Sequence, residues 1–242
     1  MLLAIDTSTR YSSVALYREG EVLAEETWWC GEDHTAHLLP VVDSLRRLVG
    51  ARLGQPTPEL TAVAVASGPG SFNGLRVGIS TAKGFAFALG IPLAAVPTLE
   101  VLAAQHCYAA LPVCVLLDAG RGEVYSGIYQ RSGQCWRQSG ECAITSVEEL
   151  AERVAALGEP RTLFCGELRQ EHVRVLQERL GDRALPVIPP AMLRRAGYLA
   201  YRGWQRIQEG TADDPATVEP IYLRRPHITT SKRPQTILKG TP

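Results

Sequence analysis

Apolar and polar residues follow one another along the chain in a pattern that predicts the same series of elements twice. An apolar run of strand length, Leu2 to Ile5, ends at Asp6, and a second run, Val113 to Leu117, ends at Asp118. Each is followed by a polar turn, an alternating strand and a hairpin turn. The spacing also matches, because 11 residues separate each aspartate from the tyrosine that closes its second strand, Tyr17 or Tyr129.

The segments after each hairpin extend this match. In the first copy the pattern predicts a helix at 35–49, a strand at 61–66, a helix at 75–89, a strand at 92–96 and a helix at 98–109. In the second copy the corresponding segments are 147–157, 162–165, 168–180, 185–188 and 191–208. Each copy therefore has the order βββαβαβα, which indicates an internal duplication.

Two such halves, each with an aspartate at the end of its first strand, are typical of the actin-like/sugar-kinase/Hsp70 (ASKHA) fold. We therefore predict an α/β protein with two subdomains, at residues 1–110 and 111–210, and a C-terminal segment at 211–242. In this fold a nucleotide lies between the halves, and the two opening hairpins face its phosphates. Fold analogy alone does not establish such a site in this chain.

The most distinctive stretch, S-G-P-G-S-F-N-G-L-R-V-G at Ser67 to Gly78, lies between a predicted strand and a predicted helix. Glycine permits positive φ and a close approach of the backbone, and a helix start favours an anion. The stretch matches neither the P-loop nor the dinucleotide fingerprint, and it could equally be a tight turn without a ligand. The residues that could contact a phosphate, here and at the two strand ends, are Asp6, Ser8, Gly68, Gly70, Ser71, Gly74, Arg76 and Asp118.

Two interpretations of the strand-end aspartates stay open. Asp6 precedes hydroxyl side chains and could hold a metal through water, and Asp118 precedes Gly120 and Gly122 at the second phosphate-loop position. Alternatively, both carboxylates only close strand ends through turn hydrogen bonds.

Two predicted helices of the first half have more apolar surface than one buried face requires. The helix at 35–49 has a wide apolar arc, and the helix at 75–89 has a ridge of small residues. Burial against the chain's own sheet is one explanation, but we favour a partner interface because excess apolar surface usually marks association. Its predicted members are Leu38, Leu39, Val42, Leu45, Val49, Gly78, Ala82 and Ala86.

Composition excludes several classes of protein. The 242 residues carry no formal net charge, so no overall field attracts the chain to nucleic acid or to a membrane. The six cysteines form no C-x-x-C pair, which argues against a zinc site and indicates thiols in a reducing cytosol. We expect no signal peptide, because Met1 to Asp6 lacks a charged start, and no apolar run is long enough to span a bilayer.

The glycine-rich stretch closely resembles the G-P-G-S-F-T-G-L-R-I-G motif of the TsaB (YeaZ) family, with Asn73 and Val77 as mild departures. The chain also resembles that family in its P-x-Y-L-R segment, which ends at Arg224, and less closely around Asp118, where Gly120 departs from D-A-R-R-x-E-V-Y. The resemblance covers most of residues 1–224.

The resemblance implies a subunit that is not an enzyme by itself. TsaB proteins support a TsaD-like catalytic subunit, which transfers threonylcarbamoyl to the adenosine beside the tRNA anticodon, and a TsaE-like ATPase joins the complex. It further implies a homodimer through the same helices, a cytoplasmic location, no tightly bound cofactor and at most a weak contact with ATP or ADP. The residues after 224 are predicted to be a solvated basic tail, although they could touch tRNA phosphates.

Other interpretations remain at this point. TsaD relatives use an H-x-x-x-H metal pair, but His34 and His37 are three residues apart and have no evident third ligand, so we expect no metal. His34 is instead interpreted as a residue at the helix start, with Asp33 or Thr35 as the cap. The alternative functions are a free-standing ASKHA-type ATPase or phosphotransferase and, with less support, a glycopeptidase-like hydrolase.

Overall fold

Two mixed β-sheets form the framework of the chain, for which the computed structural model describes residues 1–31, 33–56, 58–132 and 135–223. Strands β1 to β5 lie at Leu2–Asp6, Tyr11–Arg18, Glu21–Trp29, Ala62–Ala66 and Leu93–Val96, and they pair in the order β3-β2-β1-β4-β5. Strands β6 to β11 lie at Val113–Gly120, Glu123–Ser132, Cys135–Gln138, Ala143–Thr145, Thr162–Gly166 and Ala184–Pro186. Five of these pair in the order β8-β7-β6-β10-β11, and β9 joins the edge of β7.

Equivalent strands occupy equivalent places in the two sheets. In each, the first strand of the half pairs antiparallel with the second and parallel with the strand that follows the first helix. This shared topology confirms the predicted duplication and the ASKHA fold. The hairpin turn predicted after Tyr129 includes Gly133, which lies outside the described residues. Arg224 and the predicted tail at 225–242 lie outside them as well.

Within the part of the chain that the structure describes, six helices cover the sheets: α1 to α6 lie at Leu38–Leu53, Phe72–Leu89, Thr98–Gln105, Val147–Ala155, Gln170–Leu180 and Ala196–Gln208. None of those in the described ranges is long and apolar enough to cross a bilayer. Helices α1 and α2 pack on one face of the first sheet, against Leu3 and Ile5 of β1. The opposite face of that sheet is therefore left for another helix, because side chains alternate along a strand.

The last helix of each half packs on the sheet of the other half. Leu199 of α6 packs against Leu2 on the first sheet, whereas Leu99 of α3 packs against Val113 on the second sheet. The sequence boundary predicted at residue 110 consequently separates the two repeats but not the two packing units. This exchange joins the halves, since each sheet needs a helix that the other repeat supplies.

Four helices begin at residues other than those predicted, and among them α5 begins at Gln170 instead of residue 168. Helix α1 begins at Leu38, because the Asp33 carboxylate accepts hydrogen bonds from the backbone N–H groups of residues 35 and 36 and forms a separate turn. Helix α2 begins at Phe72, with Ser71 as its N-cap, whose hydroxyl accepts a hydrogen bond from the Gly74 N–H. Helix α6 begins later than predicted, after a 3₁₀ turn at Pro189–Met192.

The structure corrects most of the predicted partner interface. Of its eight residues only Leu39 is exposed, at 56%, and the other seven are buried within the chain itself. Their apolar arcs are used against β1, β2 and β4, so burial against the chain's own sheet, the alternative considered above, is the correct explanation for them. The buried seven are Leu38, Val42, Leu45, Val49, Gly78, Ala82 and Ala86.

Candidate functional site

The strand end at Asp6 is a closed polar site. Asp6 is 1% exposed, and its Oδ1 accepts hydrogen bonds from the backbone N–H of Ser8 at 2.9 Å and from the Ser8 hydroxyl at 2.6 Å. Its Oδ2 accepts from Nε of Arg194 at 2.8 Å, in an ion pair whose arginine is 4% exposed. Arg194 also donates to the Tyr11 carbonyl at 3.0 Å, so the cation is held from two sides.

The strand end at Asp118 has a similar but more open arrangement. Its Oδ1 accepts a hydrogen bond from the Gly120 N–H at 2.8 Å, and its Oδ2 pairs with Arg169, the residue before α5. The neighbouring carboxylate of Asp118 raises the pKa of Arg169, which therefore stays charged. The arginine side chain is 52% exposed and the aspartate side chain 27%, so water reaches this pair.

Each strand-end carboxylate thus has a guanidinium group on the oxygen that its turn hydrogen bonds leave open. Neither arginine stands out in the sequence as a partner of these aspartates. Arg194 lies 188 residues from Asp6, and Arg169 lies 51 residues from Asp118, so no local pattern connects them. Turn hydrogen bonds therefore occupy one oxygen of each aspartate, as the second interpretation predicts, and an arginine of the same chain pairs with the other oxygen.

The glycines of the glycine-rich stretch accommodate neighbouring segments of the chain. A Cβ on Gly70 would collide with the Ser8 carbonyl oxygen, and one on Gly74 would collide with the Thr7 carbonyl oxygen. A Cβ on Gly68 would lie 2.6 Å from the carbonyl oxygen of Ile221, and among the four glycines of the stretch only Gly68 has positive φ, at +111°. This internal packing accounts for the glycine spacing, and a phosphate contact at this turn stays a prediction.

Arg76 is exposed at the fifth residue of α2, but it also has an internal contact. Its guanidinium carbon lies 4.1 Å from the centre of the Phe72 ring, a distance suited to a cation–π interaction. The Phe72 ring is 5.2 Å from that of Tyr222, in the segment that the P-x-Y-L-R resemblance singled out. The C-terminal segment therefore packs across the start of α2, where the Ile221 N–H also donates to the Ser67 carbonyl at 2.7 Å.

The two histidines have different surroundings and do not form a pair. His34 is 3% exposed, with its Nδ1 at 3.2 Å from Sγ of Cys30 and 3.3 Å from Oγ of Ser12. Burial lowers its pKa, so the ring is neutral at pH 7. His37 is exposed at the N-cap of α1, so neither the predicted helix-start role of His34 nor the predicted caps apply. No group of three metal-ligating side chains occurs in the described part of the chain.

A second set of small residues lies on the outward side of α2, where it is accessible to solvent. Ser80, Gly84 and Ala88 are exposed at i, i+4 and i+8, and Phe87 beside them is 63% exposed. A Cβ on Gly84 would meet no atom within 4 Å. We call these four residues the α2 outer face. Its three small residues each lie two positions after Gly78, Ala82 or Ala86, which form the predicted ridge and are buried.

Comparison with known proteins gives consistent matches over most of the chain. Residues 29–170 match the family model described as TsaD, tRNA N6-adenosine threonylcarbamoyltransferase. The "tRNA threonylcarbamoyladenosine biosynthesis protein TsaB" of Bacillus subtilis is 31% identical, with 92% of this chain and 93% of that protein covered. The protein of the same name from Escherichia coli is 34% identical, with 92% and 94% covered.

Solved structures agree with these relatives. A crystal structure of a Pseudomonas aeruginosa protein described as similar to peptidase YEAZ has a TM-score of 0.74 and 32% identity, covering 92% of this chain and 99% of that chain. A structure titled "YeaZ from Pseudomonas aeruginosa" has a TM-score of 0.70 and 31% identity, covering 91% and 99%. The fold, the glycine-rich stretch and these matches agree, and the chain belongs to the TsaB (YeaZ) family.

Proposed function

We propose that this chain acts in tRNA threonylcarbamoyladenosine biosynthesis as a non-catalytic subunit that binds and supports a TsaD-like catalytic subunit in the cytoplasm. The observation that carries the proposal is the pairing of both strand-end aspartates with arginines, Asp6 with Arg194 and Asp118 with Arg169. An aspartate that already has a guanidinium partner is poorly placed to hold a hydrated cation beside a nucleotide. In the proposed complex the metal and the transfer of threonylcarbamoyl to tRNA belong to the partner.

The α2 outer face is the proposed contact surface. Small side chains let a second helix approach closely, and an exposed phenylalanine beside them supplies the aromatic anchor common in interfaces. The face lies on a helix whose opposite side is fixed in the core by Ala82 and Ala86, so it is presented rigidly. The same face could form the proposed homodimer, and the proposed TsaE-like ATPase would join the complex elsewhere.

An arginine at Gly84 tests this surface. The position is exposed and open, and arginine favours a helix more than glycine does, so Gly84→Arg should fold normally. We expect it to weaken binding to a TsaD partner by more than about 30-fold, the effect of losing a hot spot. The readouts are calorimetric binding to TsaD and tRNA modification by the reconstituted complex, with and without this chain.

Gln177→Arg is the matched control, because it adds the same charge at an exposed position on α5. It should leave both readouts unchanged. Leu45→Arg is unsuitable as an interface variant, because Leu45 is 5% exposed and its replacement would disrupt the core. Full binding and full tRNA modification by Gly84→Arg would refute the proposed surface.

The alternative of a free-standing ATPase or phosphotransferase makes a different prediction. It requires nucleotide turnover by the isolated chain that is lost in Asp6→Asn. Measured turnover of that kind would contradict the non-catalytic role. The glycopeptidase-like alternative requires a reactive His34, and burial of this neutral ring beside Cys30 and Ser12 gives it no support.

A further inference from the structure

A long groove runs along the seam between the two halves, on the side where α3 and α6 meet. Its larger part has a volume of about 770 Å³ and its smaller part about 370 Å³, and both parts are lined by Cys107, Tyr108 and Tyr201. We call it the seam groove. The side chains that matter for its chemistry are Glu100, Tyr108, Trp136, Tyr201, Arg202 and Arg206.

The seam groove is separate from the strand-end aspartates and from the proposed contact surface. It is lined by Tyr17 and Tyr129, and these residues pair with Leu2 and Val113 at the starts of β1 and β6. The aspartates lie towards the other ends of those strands. Helix α6 covers the face of the first sheet opposite to α2, so the groove and the α2 outer face can be occupied at the same time.

Aromatic side chains are concentrated in this groove. Six of the 16 aromatic residues of the chain line its two parts, and they are Tyr17, Tyr108, Tyr129, Trp136, Tyr198 and Tyr201. Tyr108 is 90% exposed and Tyr201 46% exposed, so both rings are available to a ligand. The indole N–H of Trp136 donates to the Cys107 carbonyl at 2.5 Å, which fixes the indole in the groove wall. Accessible aromatic rings beside a fixed indole are suited to stacking with a planar ligand.

The floor of the groove holds a pair of arginines that share one carboxylate. Glu100 accepts hydrogen bonds from Nε and Nη2 of Arg202, at 2.9 and 2.6 Å, and from Nη2 of Arg206 at 3.1 Å. Two guanidinium groups on one carboxylate leave an excess of one positive charge in this cluster. The Arg202 side chain is 34% exposed and that of Arg206 28%, so this charge faces the groove. A purely apolar ligand would desolvate these cations without compensation.

We propose that the seam groove binds a nucleoside phosphate unit, with its base stacked on the exposed tyrosines and its phosphate near Arg202 and Arg206. The volume of the larger part is typical of sites for ligands of this size. Guanidinium groups in a fixed orientation suit phosphate oxygens, and a base stacks on an aromatic ring whatever its sequence. The unit comes either from a free nucleotide or from a single-stranded stretch of RNA, because both present the same base and phosphate.

Calorimetric titration of the isolated full-length chain tests the proposal with four probes: AMP, adenosine, inorganic phosphate and a single-stranded adenosine-containing RNA hexamer. AMP should bind more tightly than adenosine or phosphate, because only AMP contacts both the rings and the arginines. Tyr108→Ala should weaken the binding by at least about fivefold, the smaller effect expected from loss of one stacked ring. Arg202→Gln should weaken AMP binding but not adenosine binding.

Trp29→Ala is the matched control, since it removes a ring that is 68% exposed, lines neither part of the groove and is not part of the α2 outer face. This control should leave AMP binding unchanged. Tyr108→Ala should still bind TsaD, so the groove and the proposed contact surface are tested separately. Tighter binding of AMP than of the hexamer identifies a free nucleotide as the source, and tighter binding of the hexamer identifies RNA. The proposal is overturned if neither AMP nor the RNA hexamer saturates the chain at about 1 mM, or if Tyr108→Ala binds AMP as well as Trp29→Ala does.

Discussion

Replacing Arg194 by methionine should destabilise the fold more than any surface charge replacement in this chain. The side chain is 4% exposed and donates both to the Asp6 carboxylate and to the Tyr11 carbonyl. Methionine fills a similar length of space but cannot donate a hydrogen bond. Asp6, at 1% exposure, would then keep its hydrogen bonds from Ser8 but have a buried charge without a cation.

The expected cost follows from this burial. Removing one partner of a buried ion pair typically costs about 3–5 kcal/mol, because the remaining charge stays desolvated. Each kcal/mol lowers the melting temperature by roughly 2–4 °C in a chain of this size. Arg194→Met should therefore melt about 6–20 °C below the parent chain.

Circular dichroism during thermal and urea unfolding measures this effect. Arg47→Met is the matched control, since Arg47 pairs with Asp43 at 2.8 Å but the two side chains are 74% and 55% exposed. That exposed pair should contribute less than about 1 kcal/mol. The double variant Asp6→Asn/Arg194→Met removes both charges, and it should be more stable than the sum of the two single losses predicts.

Two results would contradict the predicted role of the Asp6–Arg194 ion pair. If Arg194→Met unfolds at the same temperature as Arg47→Met, the Asp6–Arg194 pair does not hold this strand end together. If the losses from Asp6→Asn and Arg194→Met simply add in the double variant, the two side chains do not interact directly. Either result would also remove the main support for the non-catalytic role.

Two further predictions concern residues around the same strand end. Gly74→Ala should destabilise the chain by about 1–3 kcal/mol in urea unfolding, because its Cβ would overlap the Thr7 carbonyl oxygen. Gly84→Ala on the same helix should be neutral or stabilise the chain by up to about 1 kcal/mol. Equal effects would contradict this account of the glycines. Burial lowers the pKa of His34 below its ordinary value of 6.5. The buried neutral ring therefore contributes its full stability above pH 6.5, and this contribution is lost as the pH falls through the lowered pKa. Unfolding free energies measured at several pH values should fall less steeply below about pH 6.5 in His34→Asn than in the parent chain, and parallel curves would exclude this titration.

Local pattern was sufficient for the elements and for the duplication. Apolar runs such as Leu2 to Ile5 and their repeat at Val113 to Leu117 are continuous in sequence, so period and length alone indicated buried strands. Helix starts were less accurate, because they depend on individual caps. Ser71 and Asp33 each form one specific hydrogen-bonded turn that apolar periodicity does not report.

Residues that are neighbours in the chain specify the order of strands and helices, the two-fold repeat and the resemblance to a family, so these could be predicted from the sequence. Which apolar faces are covered and which charges meet depends on contacts between distant residues, and these are known only from the folded chain. The spacing of Leu45 and Ala82 is compatible with an interface as well as with a core. In the folded chain both pack against the first sheet and are part of the core. Arg194 reaches Asp6 only because α6 crosses to the first sheet, a contact between distant residues that no local pattern encodes.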